Sequence, residues 1–217
     1  LKDITSTAEM SWLLILACIR QMRYLLHRVN FEKKWLNADI RGYEVNSKTL
    51  GIIGYGRLGK MVASYGRCFG MKVLAYDIDE NKYDNNVEPA SLENLCRNSD
   101  IISLHAKLNK TSLNIISHKE ISLMKEGIII VNTARGGLLD SDAVLKGLDE
   151  EKIFALGLDV CTNEYKSSKL PRDKLLERSF IDKRIIVTPH AGGSTFDSHD
   201  KVFGKISELI KNYLNTI

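Results

Sequence analysis

Thr49–Gly59 reads TLGIIGYGRLG, and its reading decides the fold. The apolar run Thr49–Ile53 has the length and β-branched content of a buried strand. Gly54, Gly56 and Gly59 follow as G-x-G-x-x-G, and a helix-like stretch follows them. Downstream, Lys72–Tyr76 is a second apolar run, closed by Asp77, eighteen residues after Gly59. Strand, glycines, helix, strand and acid in this order form a dinucleotide-binding unit. The first glycine permits the tight turn, the second lets backbone approach a pyrophosphate, and the third lets helix and strand pack closely. The pyrophosphate would rest on amides at the helix N-terminus, which carries partial positive charge. Asp77 would accept hydrogen bonds from the adenosine ribose and repel a 2′-phosphate, so NAD is expected over NADP. The competing reading is a glycine-rich turn in another sheet protein, and it leaves the ordered acid unexplained.

Outward from this unit, the apolar runs continue at Asp100–Leu104, Ile128–Asn132, Ala155–Asp159 and Ile185–Thr188. They are continuous rather than alternating, as in parallel strands covered on both faces. Helical stretches fall between them near 57–69, 91–97, 118–124 and 141–149. The expected fold is therefore α/β, a Rossmann-type doubly wound parallel sheet with helices on both faces. Asp77–Pro89 reads as a solvated loop, and Tyr165–Arg184 as a charged surface segment with a short helix near Lys174–Arg178. From Phe196 the apolar spacing predicts a last helix, capped by Thr195. Upstream, residues 8–28 predict one helix, with Ser6 and Glu9 as a capping box. Met10–Ile19 is apolar around most of its circumference, so it is expected to be buried on several sides, by this chain or by a second subunit.

The chain has 217 residues, 44% hydrophobic and 27% charged, with a formal net charge of +4. This is ordinary for a globular protein. No basic block or stripe supports a nucleic-acid partner. Cys18, Cys68, Cys96 and Cys161 are scattered without a C-x-x-C pair, which predicts free thiols in a reducing cytoplasm and no metal site. The longest apolar run, Trp12–Ile19, is too short to span a bilayer, so no membrane partner is expected. The chain begins at Leu1, which reads as a fragment or a processed product.

Ligands of doubly wound sheets bind beyond the carboxyl ends of the strands. Three charged residues fall there: Arg135, Glu164 and His190. Arg135 has a planar fork that can grip a carboxylate bidentately. His190 can pass a proton to or from a substrate oxygen, and Glu164 beside it would stabilise the imidazolium. With hydride carried by a nicotinamide, these groups suit interconversion of a 2-hydroxy acid and a 2-oxo acid. Singly, each has a plainer reading: a phosphate contact, a loop charge, a turn residue. His105, also at a strand end, is expected to line the cofactor site, and His27, His118 and His199 to be exposed.

Five stretches then carry a resemblance: STAEMSWLLILACIR (Ser6–Arg20), LGIIGYGRLGKMVA (Leu50–Ala63), VNTARGGLLDSDAV (Val131–Val144), GLDVCTNE (Gly157–Glu164) and VTPHAGGST (Val187–Thr195). Over nearly its whole length the chain resembles the D-isomer-specific 2-hydroxyacid dehydrogenases, the group with D-3-phosphoglycerate, D-lactate, and glyoxylate or hydroxypyruvate enzymes. The resemblance implies that Arg135 holds the substrate carboxylate, that His190 is the acid–base catalyst and that Glu164 is its partner. The spacing of Arg135 and Glu164 fits the family, and glutamate at 164 argues against formate dehydrogenase, a relative with glutamine there. It further implies pyrophosphate amides from Arg57 and Leu58, and a nicotinamide pocket of Thr133, Ala134, Gly192 and Gly193. Asp159 would orient the carboxamide, and His105 with Ala106 would complete the cofactor site. Two positions depart from the family: Lys107 and Tyr165 stand where prolines are usual.

By the same resemblance, the domain organisation is a single NAD-binding domain over 1–217. Residues 1–48 form a helical dimerisation region, 49–195 the Rossmann core, and 196–217 a helix toward a substrate domain largely absent from this chain. The partners it implies are a small 2-hydroxy or 2-oxo acid carrying a carboxylate and a second copy in a homodimer. Without the opposing domain, the chain is expected to bind NAD and to turn over slowly or not at all. The other readings are a non-catalytic NAD-sensing interaction protein of the same superfamily, and an unrelated Rossmann protein such as a methyltransferase, which leaves Arg135, Glu164 and His190 unexplained.

Overall fold

The computed structural model describes residues 3–35, 39–164 and 169–214. The N-terminal stretch expected as one helix is two: α1 (Ser6–Ile19) and α2 (Met22–Asn30). Between them Gln21 has φ +49°, a left-handed conformation that ends a helix. The break has a tertiary cause. The 41–43 segment packs on the end of α1, where Tyr43 N donates to Ile19 O at 3.0 Å, and a Cβ on Gly42 would lie 2.4 Å from that carbonyl. The orphan carbonyl at the C-terminus of α1 is thus satisfied from elsewhere in the chain. The expected capping box is also absent. Thr5 is the N-cap, neither it nor Ser6 caps the helix through its side chain, and the Thr5 hydroxyl donates to the Glu9 carboxylate.

The core follows as β1 (Thr49–Ile53), α3 (Arg57–Cys68), β2 (Lys72–Tyr76), β3 (Glu88–Pro89), α4 (Leu92–Asn98), β4 (Ile101–Leu104), α5 (His118–Leu123), β5 (Ile128–Asn132), α6 (Ser141–Asp149), β6 (Ile153–Leu158), α7 (Lys174–Ser179), β7 (Ile185–Val187) and α8 (Phe196–Leu214). The strands form one parallel sheet in the order β3-β2-β1-β4-β5-β6-β7. The Rossmann-type α/β fold expected from the sequence is present. The order reverses beside β1, which pairs β2 through Ile53 with Tyr76 and β4 through Ile53 with Leu104. The crevice of a doubly wound sheet lies at that reversal.

The loop expected at Asp77–Pro89 instead contains a 3₁₀ turn (Glu80–Lys82) and β3, which extends the sheet by pairing with Leu74 and Ala75. Two exposed residues carry no periodicity, so only their pairing makes them a strand. The Lys174 helix is α7, and Thr195 Oγ1 accepts from Ser198 N at 3.1 Å at the start of α8. Tyr165 lies outside the described residues.

Successive side chains of each strand serve opposite layers. Leu50, Ile52, Ile129 and Val131 pack with α1 and α3 through Ala8, Ile15, Cys18, Val62 and Ala63. Ile53, Ile102, Ile128 and Ile130 pack with α4, α5 and α6 through Leu95, Ile121, Val144 and Leu148. Each fully buried aliphatic side chain of this kind contributes about 1.5–3 kcal/mol of transfer free energy. Cover for α1 therefore comes largely from its own chain, and Leu13 is its one large apolar side chain left mainly exposed among the described residues. No helix of the described residues is long and apolar enough to cross a membrane.

Candidate active site

The turn after β1 takes the form its glycines predict. Gly54 has φ +96°, and a Cβ there would come 2.5 Å from Ala106 N. A Cβ on Gly59 would meet Gly54 O at 2.2 Å, so that glycine lets α3 lie on the turn. At Gly56 there is nothing within 4 Å of such an atom, and the backbone is open to a ligand. The cradle fits a dinucleotide pyrophosphate: an open glycine at a helix N-terminus whose first amides lack helical partners. Arg57 sends its guanidinium to Ile4 O, away from the cradle.

Asp77 closes β2 with its side chain 7% exposed. Its Oδ2 accepts from Tyr55 N at 2.8 Å, and its Oδ1 accepts from Asp79 N at 2.9 Å and Lys82 Nζ at 2.8 Å. These donors, Lys82 foremost, hold its carboxyl below the usual range against the opposing effect of burial. Lys82 gave no signal in the sequence, because the turn that brings it back was not legible there.

Leu58, His105, Ala106, Thr133, Ala134, Arg135, Asp159, His190 and Gly193 line one cleft of about 700 Å³ at the carboxyl ends of the strands. His105 follows β4 and bonds Ser103 Oγ at 2.9 Å through Nε2. Burial pushes its imidazole down to about 4, so it is neutral near pH 7. Thr133 shares a 2.6 Å hydroxyl hydrogen bond with Ser11, which anchors the end of β5 to α1. Buried Asn132 braces the next turn, with Oδ1 accepting from Ala134 N at 3.0 Å and Nδ2 donating to Arg135 O at 2.9 Å. Arg135 is exposed to the cleft, donates to Ala134 O at 2.6 Å, and pairs with no carboxylate among the described residues.

Asp159, 1% exposed, follows β6 and organises the turn that bears His190. Its Oδ1 accepts from Thr188 Oγ1 at 2.5 Å and Ala191 N at 2.9 Å, and its Oδ2 accepts from Gly192 N at 2.7 Å. His190 itself has φ +52°, uncommon for a residue with a Cβ and of the kind found at functional sites. Glu164 reaches it from a different loop. Glu164 Oε2 bonds His190 Nδ1, and its Oε1 accepts from Cys161 N. Glu164 does not line the 700 Å³ cleft. It lies on the far side of His190, in a second cleft of about 850 Å³ that shares Asp159 and His190 with the first. Burial lifts the Cys161 thiol there to about 12, so it is no thiolate nucleophile.

Sequence reasoning missed several supports. Ser11 bonds Thr133, 122 residues away, Asn132 braces the turn just after it, and Asp173 joins Thr162 to the start of α7. His199, expected to be exposed, is so, yet it also lines the cleft; His118 is exposed, whereas His27 is half-buried beside Glu32 and stacked on Phe31.

Residues 12–192 match the family model of the D-isomer specific 2-hydroxyacid dehydrogenase, NAD binding domain. The chain belongs to this family. Within the D-isomer specific 2-hydroxyacid dehydrogenases, it is 38% identical to the hydroxypyruvate reductase of Thermotoga maritima over 205 residues, which is 94% of this chain and 65% of that protein. It is 35% identical to a glyoxylate reductase of Aeropyrum pernix, over 88% of this chain and 57% of that protein. It therefore spans less than two thirds of the length of these curated relatives. The D-lactate dehydrogenase of Aquifex aeolicus, solved with NAD and lactic acid, superposes with a TM-score of 0.87 at 33% identity, covering 99% of this chain and 68% of the other. NAD is the cofactor of the matched domain family.

Proposed function

We propose that this chain is the cofactor-binding part of an NAD-dependent D-2-hydroxyacid dehydrogenase, which interconverts a 2-hydroxy acid and its 2-oxo acid. The observation that carries this reading is the opening of Arg135 and His190 onto one cleft while Glu164 bonds His190 from behind. Glu164 bonds Nδ1, and Nε2 is the nitrogen this reading assigns to proton exchange with substrate oxygen. In reduction His190 gives that proton to the carbonyl oxygen, and in oxidation it takes it from the hydroxyl. Arg135 grips the substrate carboxylate and fixes which carbon faces the cofactor. NAD bound along the glycine turn supplies the hydride chemistry. Gly54, Gly56 and Gly59 with the Arg57 and Leu58 amides would hold its pyrophosphate, and Asp77 its adenosine ribose. Thr133, Ala134, Asp159, Gly192 and Gly193 would border the nicotinamide.

The direct test is reduction of a panel of 2-oxo acids with NADH. His190→Asn is expected to lower turnover about 10²–10⁴-fold, the range of a positioned acid–base group. Undiminished turnover in that variant would remove the reading.

A homodimer through the N-terminal helical region is part of the proposal. Leu26, Val29, Phe31 and Trp35 support it, because they are 45–89% exposed on and just after α2. Sedimentation at micromolar concentration tests it, and a monomer would count against it. Four free cysteines support a reducing, cytoplasmic location.

A further inference from the structure

We propose that Lys82 sets the nucleotide selectivity of this site: it blunts the exclusion of a 2′-phosphate by Asp77 and is itself the cation such a phosphate would meet. The inference rests on the dinucleotide reading above. Lys82 Nζ sits 2.8 Å from Asp77 Oδ1, and its side chain is 39% exposed, so one ammonium faces both the acid and solvent at the expected ribose edge. The placement is built rather than incidental. The 3₁₀ turn Glu80–Lys82 starts on Asp79, whose carboxylate accepts from Asn81 N at 3.2 Å. Tyr83, the next residue, accepts from Asp77 N at 2.7 Å through its hydroxyl and stacks on Tyr55 at 5.9 Å. Backbone and ring contacts on both sides of Lys82 therefore hold the ammonium beside the acid.

The electrostatic consequence is direct. An isolated Asp77 carboxylate would repel a 2′-phosphate carrying roughly −2 charge. Paired with Lys82, the acid presents a pair of no net charge. Ribose hydroxyls, which need only acceptor lone pairs, lose little by this. A 2′-phosphate gains a cation at the range where it otherwise meets only an anion. NAD stays preferred, and the margin over NADP is narrower than Asp77 alone would give.

A double-mutant cycle tests this by calorimetric titration with NAD and NADP. Lys82→Met is expected to widen the ratio of the NADP to the NAD Kd by about tenfold, while Lys82→Arg keeps it. Asp77→Asn is expected to tighten NADP by tenfold or more, and Asp77→Asn/Lys82→Met to lose that gain. If NADP affinity in the Asp77→Asn background is indifferent to Lys82, or NADP fails to bind there, the inference is overturned while NAD binding leaves the cofactor reading intact. If the folded protein binds neither nucleotide, the cofactor reading falls and the inference with it.

Discussion

The amide of Gly192 donates to Oδ2 of Asp159 at 2.7 Å, and a Cβ on Gly192 would stand 2.7 Å from that same oxygen. The turn bearing His190 is thus pressed against a buried carboxylate with no room for a methyl group. Gly192→Ala is expected to push Asp159 off the turn and cost about 1–3 kcal/mol, as overpacking does. Gly193→Ala is the matched control. Its methyl would find Thr7 Oγ1 only at 3.9 Å, and the expected change is within about 0.5 kcal/mol. Urea unfolding of both variants measures the difference, and equal midpoints would deny Asp159 its role in the turn.

The nucleotide turn separates structural from ligand-facing glycines in the same way. Gly59→Ala drives a methyl to 2.2 Å from Gly54 O, backbone that cannot swing aside, so the protein itself is expected to lose stability. Gly56→Ala meets nothing within 4 Å, and its cost to stability is expected to stay below about 1 kcal/mol. The new methyl would project into the cradle, so NAD affinity should fall at least tenfold. Unfolding and NAD titration on the same samples check both halves. A Gly56→Ala protein that binds NAD normally would show that the pyrophosphate does not approach there.

What the sequence made legible was the part written in local patterns. Continuous apolar runs located β1, β2 and β5 to the residue, because strands buried on both faces leave no other solution for Ile52 or Ile130. The strand-end rule brought Arg135 and His190 to one cleft because side chains just past parallel strands share a rim. What escaped was tertiary. The helix break at Gln21 depends on Gly42 and Tyr43 returning to α1, and no residue between Ala17 and Leu25 announces it. β3 exists only through its pairing with β2. The ion pair of Lys82 with Asp77 depends on a 3₁₀ turn inside what reads as a polar loop. Buried Ser11 looks like an ordinary polar residue until its partner at the end of β5, Thr133, is known.

His105 predicts a pH dependence whose sign is fixed by its burial. In the folded protein its imidazole stays neutral down to about 4, against an ordinary value of about 6.5 in the unfolded chain. Between those values the unfolded state holds the extra proton, so stability is full above about pH 6.5 and falls as pH drops toward 4. The loss across the whole window is about 3 kcal/mol. His105→Gln should flatten this slope. Urea midpoints at pH 7 and pH 5 read it largely clear of carboxylate titration, and parallel slopes in the two proteins would assign the acid sensitivity to other groups.

Asp173 is expected to act on His190 at one remove. Its carboxylate is 5% exposed and accepts four hydrogen bonds. Oδ2 takes Thr162 N and Oγ1, both at 2.8 Å, and Oδ1 takes Leu175 N and Leu176 N at 2.8 and 3.0 Å. One side chain therefore caps α7 and pins the loop in which Glu164 follows Thr162 by two residues. Asp173→Ala leaves buried donors unmatched, and about 2–4 kcal/mol of stability should be lost. If the loop is what aims Glu164 at His190, turnover per folded molecule should also drop, by about tenfold. Val144→Ala, a truncation in the core away from the cleft, is the comparison: it should lose stability without that drop. Equal turnover per folded molecule in the two variants would confine Asp173 to holding the fold, and leave the Glu164–His190 pair to align itself.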